Sequence, residues 1–224
     1  WLWPLFWGAL LMMSVFAMSA AEPLFRWIEP DARQVIYDRA GFVTLLGRHL
    51  FVVGIAAVVT IIVGVAAGIA VTRRWGSDFL PLVAQLASLG QTFPPVAVLA
   101  LAVPVLGFGP LPIIGLQGVE GDIKTAAHAM GMKPTQILCQ VELPLAAPVI
   151  LAGIRTSVTI NIATAALGAT VGASNLGDPI ISGIVNGNMA YVVQGALTIA
   201  LLALTIDSLF EVLQRQLRAR ISDD

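Results

Sequence analysis

The chain has 224 residues, of which 58% are hydrophobic and only 11% are charged, and its formal net charge is −1. A soluble domain carries about 25% charged residues, so this composition and a mean hydropathy of +0.89 exclude an ordinary soluble domain and indicate an integral membrane protein. The near-neutral charge, without a basic patch interleaved with aromatic residues, gives no indication of nucleic-acid binding.

Uncharged runs long enough to cross a bilayer recur along the chain. A hydrocarbon core of roughly 30 Å needs about 20 apolar residues in a helix. The sequence predicts five such spans, at about residues 2–21, 50–71, 82–106, 156–172 and 191–206. Three tryptophans near one end of the first run are typical of an interfacial anchor, which favours a retained helix over a signal peptide.

The connector between the first two spans, residues 22–49, carries four arginines and four acidic residues. Charges of both signs are typical of a solvated loop, and we expect an amphipathic helix around residues 32–46. Arg73 and Arg74 directly follow the second span, as cationic residues do at the cytoplasmic edge of membrane helices.

The third span is interrupted near its middle by a short polar sequence that contains two prolines. Prolines open the backbone hydrogen-bond ladder, which a bilayer tolerates only where protein or water re-satisfies the freed groups. We interpret the break as a kinked helix that lines or gates a transport pathway, and a purely structural kink is the alternative. The candidate pathway residues here are Gln91, Thr92, Pro94 and Pro95.

Residues 125–144, within a predicted loop over residues 120–144, form a mildly polar island between uncharged runs. We predict two short helices broken at Gly131, because glycine suits the positive φ of a helix C′ position. Pro134 suits the first residue of the second helix, since its missing N–H would be unpaired there, and Pro144 marks where that helix ends or bends. A helix–turn–helix outside the bilayer offers a surface to a partner protein, whereas a plain connecting loop is the simpler alternative.

The fourth span is unusually polar for a membrane helix. Its polar side chains recur near one face at helical spacing, and polar residues within a span usually face the bundle interior or a water-filled pathway. They are candidates for lining the pathway, and hydrogen bonding between helices is the alternative. These candidates are Thr156, Ser157, Asn161 and Thr164.

The polar island resembles the cytoplasmic EAA loop of ABC importer permeases. That loop has Glu-Ala-Ala, three residues, Gly, nine residues, Ile, one residue and Leu-Pro. The corresponding residues of this chain, which the resemblance implies contact an ATPase, are Thr125, Ala126, Ala127, Gly131, Val141, Leu143 and Pro144. Because threonine replaces the glutamate, we expect this coupling loop to act through its shape rather than through a salt bridge.

Counting lysines and arginines leaves two topologies open. Five spans with the N-terminus outside put ten of these residues inside and two outside, but they place Arg73 and Arg74 outside. Six spans with the N-terminus inside put eight inside and four outside. Betaine-type permeases, which the chain also resembles in its Gln-Thr-x-Pro run, carry a further helix before the coupling loop, so about 20 residues of a span would be missing near Ile114.

Chemistry-bearing motifs are not evident elsewhere in the sequence. No G-x-x-x-x-G-K-[ST] phosphate loop occurs, and neither a metal-ligand pattern nor a catalytic arrangement is present. The single cysteine, Cys139, excludes an internal disulfide. We therefore predict a transport subunit that is not an enzyme and that binds no cofactor or metal itself.

The resemblance implies a permease subunit of a type I ABC importer, most similar to the osmoprotectant (glycine betaine, carnitine, choline) group. The implied fold is a single all-α domain over residues 1–224, a polytopic transmembrane helical bundle in the bacterial inner membrane. The implied partners are a cytoplasmic ABC ATPase dimer that holds ATP and Mg²⁺, a periplasmic solute-binding protein and a second permease subunit. We expect the two permease subunits to form a heteromeric rather than an identical pair. The alternatives are a permease for another small solute, such as an amino acid or an anion, and an ATPase-independent channel or scaffold.

Overall fold

The computed structural model describes residues 2–73, 76–92 and 130–223, and all regular secondary structure in that part of the chain is helical. Its α-helices are α1 (Leu2–Phe16), α2 (Glu22–Ile28), α3 (Phe42–Val71), α4 (Leu80–Thr92), α5 (Pro134–Ile137), α6 (Leu143–Ala165), α7 (Asp178–Asn186) and α8 (Met189–Asp223). Short 3₁₀ helices occupy Met18–Ala21, Ser77–Phe79 and Ala166–Val171, and a π-helical segment occupies Leu138–Glu142.

Three helical stretches of the described part are long and apolar enough to cross a membrane. They are Phe42–Val71, Pro134–Thr170 and Met189–Ala219. The pair Leu2–Phe16 and Met18–Ile28 would pass the same test together, but its two halves meet at an angle of 84°. The prediction of an all-α, multi-pass membrane bundle is confirmed.

The connector after the first apolar run differs from its prediction. An amphipathic helix at residues 32–46 is wrong: the connector's helix is α2, and residues 29–41 contain turns but no helix. Glu22 and Pro23 in the first turn of α2 favour a helix start there. Residues 29–41 instead obtain hydrogen bonds from distant side chains, and α3 begins at Phe42, so His49 lies inside a helix rather than in the loop.

The last helix also extends further than the uncharged run suggests. It continues through Asp207 to Asp223 and is not closed by the first charged residue. The polar residues beyond Asp207 are accommodated because they are spaced around an exposed helix, where Arg215 pairs with Glu211 one turn earlier. The predicted basic tail is therefore helical.

The chain divides into two compact units, of which the first comprises residues 2–56 and 158–209 within the described part. Its apolar core contains fully buried side chains from five separate segments of the sequence. These are Phe25, Leu45, Ile162, Leu176 and Leu202. Polar side chains, described below, are buried among them.

The second unit comprises residues 57–92, 130–157 and 210–223 within the described part. Its buried centre is formed by Ala146 and Ile150 of α6, and the last turns of α3 pack against them. The partly buried members of this cluster are Val65, Ile69, Leu143 and Ile154. The start of α6 is thus held against the end of α3.

Candidate functional site

The segment 130–144 begins with a backbone turn that requires glycine. Gly131 has a φ of +78°, as the sequence predicted, and a Cβ at this position would meet nothing within 4 Å. The requirement is therefore conformational rather than steric, since other L-residues pay a penalty in the left-handed region.

A new helix starts three residues later, at the predicted Pro134. The preceding residue, Lys133, is extended, and its backbone N–H donates to Gln136 Oε1 at 2.8 Å. This bond satisfies one of the donors near the helix start, and proline at the first helical position has no N–H to leave unpaired. The local sequence therefore fixes both the break and the new start.

Of the two predicted outcomes at Pro144, an end or a bend of the second helix, the end is wrong. The helical stretch continues from Pro134 to Thr170. The π segment Leu138–Glu142 lies directly before the Leu143-Pro144 pair. A π turn inserts one extra residue into the helix, so the change in hydrogen bonding occurs where Pro144 cannot donate a backbone hydrogen bond.

Only one side of the segment 130–144 is buried. Ile137 and Glu142 face inward, while Val141 and Leu143 are half-buried. The remaining surface is exposed and contains Met130, Pro134, Thr135, Gln136, Cys139, Gln140 and Pro144. A mixed apolar and polar surface is therefore available to a partner. The predicted coupling residues Thr125, Ala126 and Ala127 lie outside the described residues.

Glu142 forms an ion pair with Arg73, which directly follows α3. Arg73 Nη2 donates to Glu142 Oε2, and the Glu142 side chain is only 5% exposed while that of Arg73 is 22% exposed. Both residues belong to the second unit. No local pattern indicates this contact, because Glu142 occupies the variable position before the Leu-Pro pair and Arg73 precedes it by 69 residues.

A second polar cluster, the Gln194 network, lies in the first unit. Gln194 of α8 is fully buried; it accepts a hydrogen bond from Tyr37 N–H at 3.1 Å and donates to the carbonyls of Val35 at 2.5 Å and Ala190 at 3.0 Å. Asn188 adds a bond to the Gln34 carbonyl at 2.8 Å. These side chains hold residues 34–37 against the start of α8.

Aromatic rings close over the same region. Tyr37 meets Tyr191 edge to face with ring centroids 5.5 Å apart, and it meets Phe42 at 6.4 Å. Burial, and next the nearby Asp178 carboxylate, raise the pKa of the Tyr37 phenol, so this side chain stays neutral at physiological pH. All three rings are buried and pack on one another, so they form a small core rather than an open cage.

Buried polar groups also connect α3, α6 and the loop before α7. The fully buried His49 donates from Nε2 to the Ile162 carbonyl at 3.0 Å. Asn175 donates to the Ala165 and Ala173 carbonyls at 3.0 and 2.9 Å and accepts from Gly177 N–H at 2.6 Å. His49 Nδ1 and Asn161 Nδ2 are buried without a hydrogen-bond partner.

The predicted pathway residues differ in exposure. Asn161 is buried, whereas Thr156 is exposed and donates to the Ala152 carbonyl of its own helix. Thr164 likewise donates to the Ile160 carbonyl, and Ser157 is half-buried. In the earlier group, Gln91 and Thr92 end the backbone of α4. Their side chains, and all of Pro94 and Pro95, lie outside the described residues.

Comparisons with known proteins agree with this fold. Residues 60–222 match the family described as "Binding-protein-dependent transport system inner membrane component". The osmoprotectant import permease protein OsmY of Salmonella typhimurium is 37% identical over 187 aligned positions, covering 76% of this chain and 79% of OsmY. OsmW of the same organism is 32% identical over 208 positions, covering 82% of this chain and 95% of OsmW.

Two further comparisons concern a relative from Bacillus subtilis and a solved structure. The glycine betaine/carnitine/choline permease protein OpuCB of Bacillus subtilis is 34% identical, covering 76% of this chain and 85% of OpuCB. A chain of the inward-facing MetNI methionine ABC transporter superposes with a TM-score of 0.69 over 79% of this chain and 95% of its own, at 18% identity. That last likeness shows the type I permease fold.

A family model that covers most of the chain, relatives above 30% identity and a shared fold all lead to one assignment. The chain belongs to the family of binding-protein-dependent transport system inner membrane components, and it is a non-enzymatic, multi-pass permease subunit of an ABC importer.

Proposed function

We propose that the chain carries compatible solutes of the glycine betaine, choline and carnitine class across the bacterial inner membrane. The observation that carries this proposal is the 37% identity with OsmY, together with further relatives whose names specify osmoprotectants, choline or carnitine. These solutes share a quaternary ammonium group. In the described part, the buried aromatic cluster at Tyr37 is already filled, so selection among such solutes would rest mainly on the binding protein.

The complex that we propose contains a cytoplasmic ABC ATPase dimer, a second permease subunit and a periplasmic solute-binding protein. ATP and Mg²⁺ would bind to the ATPase and not to this chain. Two different permease proteins of Salmonella typhimurium, OsmY and OsmW, both match this sequence. That observation supports a heteromeric pair over two identical subunits.

The coupling role is assigned to residues 120–144, whose described half ends at Pro144. Closure of the ATPase dimer would displace the exposed surface of this segment, and the continuous helical stretch Pro134–Thr170 would carry the displacement into the membrane. The pathway or gate is assigned, as the sequence predicted, to residues 91–95 and to the polar positions between Thr156 and Thr164. Their roles remain proposals.

The test is ATP-driven uptake into vesicles that contain the complete complex. Gly131→Pro forbids the positive φ observed at this turn, and Leu143→Asp places a charge in the cluster around Ala146 and Ile150. We expect both variants to assemble with the ATPase but to lose most uptake. The matched controls are Gly131→Asn, which tolerates positive φ, and Leu143→Met, which keeps the packing volume; both should retain uptake.

The same assay separates this proposal from its alternatives. Uptake of radiolabelled glycine betaine, choline and carnitine is compared with that of methionine, each with the cognate binding protein. Preferential uptake of methionine would contradict the proposed solute class. Uptake that proceeds without ATP would indicate a channel, and full uptake by both Gly131→Pro and Leu143→Asp would contradict the coupling role.

A further inference from the structure

The backbone that carries Arg73 is fixed by short-range hydrogen bonds. Thr72 Oγ1 donates to the carbonyls of Gly68 and Ile69 at 3.0 and 2.9 Å, which satisfies acceptors at the end of α3. Arg73 N–H donates to the Ala70 carbonyl at 3.2 Å, and Gly76 N–H donates to the Arg73 carbonyl at 3.0 Å. A Cβ on Gly76 would overlap the Ala70 carbonyl, so this turn fits only glycine.

The π segment explains how Glu142 comes to face Arg73. In a regular α-helix, residues five apart lie about 140° apart around the axis, so Ile137 and Glu142 could not both face inward. The i→i+5 hydrogen bonds of a π turn bring residues five apart over one another. Both side chains are buried in the structure, at 2% and 4% exposure of the whole residue.

Apolar packing continues directly from the ion pair. Leu143 follows Glu142 and joins the cluster in which Ala146 and Ile150 meet Val65 and Ile69 of α3. The ion pair therefore closes the end of a contact between α3 and α6 that is otherwise made of apolar side chains. The two kinds of contact restrain the same pair of helix ends.

Separating the pair would cost more than the pair itself contributes. Removing Arg73 would take an ion-pair partner from a carboxylate that is buried, and weakening the compensation of a buried charge is costly. A displacement of Glu142 should therefore carry Arg73 with it.

We propose that the Arg73–Glu142 ion pair is a positioning contact that makes the last turn of α3 move with the coupling loop throughout the transport cycle. This inference rests on the proposed coupling role of the loop. ATP-driven displacement of the loop is then delivered to two membrane helices, α3 and α6, rather than to α6 alone. The charge that matters lies inside the permease, at Glu142, instead of on the surface that contacts the ATPase.

The first test measures ATP hydrolysed per solute transported by the complete complex in vesicles. Arg73→Gln and Glu142→Gln should each raise this ratio roughly tenfold, since either change removes the buried ion pair that holds the two helix ends together. The reversed pair Arg73→Glu/Glu142→Arg should restore the ratio to within about twofold of the original. A purely stabilising contact would lower the amount of folded complex without changing the ratio.

The control is the exposed pair of α8, Glu211 and Arg215, which has the same charges at i,i+4 spacing. Glu211→Gln and Arg215→Gln should leave the ratio unchanged. An unchanged ratio in Arg73→Gln and Glu142→Gln, or a reversed pair that assembles but stays uncoupled, would overturn the inference.

A second test asks whether the contact ever opens. The double variant Arg73→Cys/Glu142→Cys is made in a Cys139→Ser parent, and the uptake rate of that parent is the reference. A short bis-thiosulfonate cross-linker then joins the two introduced cysteines. Uptake that persists after cross-linking supports a contact that stays closed, whereas arrest would overturn it.

The two proposals fail in different ways. If Gly131→Pro and Leu143→Asp leave ATP-driven uptake intact, the coupling role itself is wrong, and the inference falls with it. If those variants abolish uptake while the Arg73 and Glu142 variants remain fully coupled, only the positioning contact is wrong.

Discussion

Gln194 shows how much one buried amide contributes in a membrane helix. We expect Gln194→Leu to destabilise the protein although it makes α8 more apolar. Leucine leaves Tyr37 N–H and the Val35 carbonyl unpaired, at about 1–3 kcal/mol for each buried group. Thermal unfolding in detergent should therefore shift to a clearly lower temperature. Gln216→Leu, at an exposed position of the same helix, should leave the midpoint in place, and equal midpoints for the two variants would contradict the role of Gln194.

Individual residues were predictable from the sequence only where their neighbours along the chain determine them. Gly131 and Pro134 follow from local backbone rules, and the structure confirms both. Gln194 and Glu142 were not singled out, because their partners lie 157 and 69 residues away. Within a membrane run, however, an uncharged polar side chain must find a partner, and that rule alone would have marked Gln194 as a structural anchor.

At the scale of elements, α7 and α8 approach so closely that Gly183 cannot carry a side chain. A Cβ at Gly183 would lie 2.6 Å from the Asn188 carbonyl oxygen and 2.8 Å from Val192 N, and both are backbone atoms. We expect Gly183→Ala to separate the two helices and to cost about 1–3 kcal/mol. The measurement is thermal unfolding together with recovery of the assembled complex.

Gly54→Ala is the matched control for that substitution. Gly54 lies inside α3, and a Cβ there would meet nothing within 4 Å. Alanine should be neutral or stabilise the helix by up to about 1 kcal/mol. If Gly183→Ala were as well tolerated as Gly54→Ala, the close approach of α7 and α8 would not matter for stability.

A helix boundary was predictable from the sequence only where an apolar run ends at a charged residue and the helix ends there too. The end of α3 at Val71 coincides with the end of the second apolar run, since Arg73 follows it. Hydropathy indicates which residues lie in the membrane, and it does not indicate where a helix begins or ends. The predicted start of α3 and the predicted end of α8 are therefore wrong, because charged or polar residues continue both helices beyond their apolar runs. Residues 29–41 form no helix because their hydrogen bonds join them to Asn188, Met189 and Gln194, which no local pattern reveals.

At the scale of the whole molecule, the Arg73–Glu142 pair bears on how often the chain crosses the membrane. An ion pair joins atoms in direct contact and cannot extend across a hydrocarbon core of about 30 Å. Both residues therefore lie at the same face, which calls for an even number of crossings between them. The five-span topology puts them at opposite faces, so the contact favours the six-span alternative.

The comparisons with relatives support the same proposal. The match to OsmY runs over 187 positions but uses 76% of the 224 residues, about 170, which leaves about 17 positions without a counterpart in this chain. The match to OsmW leaves about 24 in the same way. Those totals are close to the length of one membrane helix, and the place of the predicted missing span, near Ile114, lies outside the described residues. An intact mass of the native protein equal to that of the 224 residues would refute this hypothesis.

The same-face argument can be tested with the single cysteine of the chain. Cys139 is exposed in the π segment, and the exposed Asp78 lies five residues after Arg73. A membrane-impermeant maleimide is applied to sealed vesicles of known orientation that contain either the original protein or Asp78→Cys in a Cys139→Ser background. Because α3 and α6 meet at one end through the ion pair, we expect both cysteines to react from the cytoplasmic side only. Labelling from opposite sides would contradict the ion pair and restore the five-span topology, whereas labelling of both from the periplasmic side would keep the pair but reverse the orientation of the coupling loop.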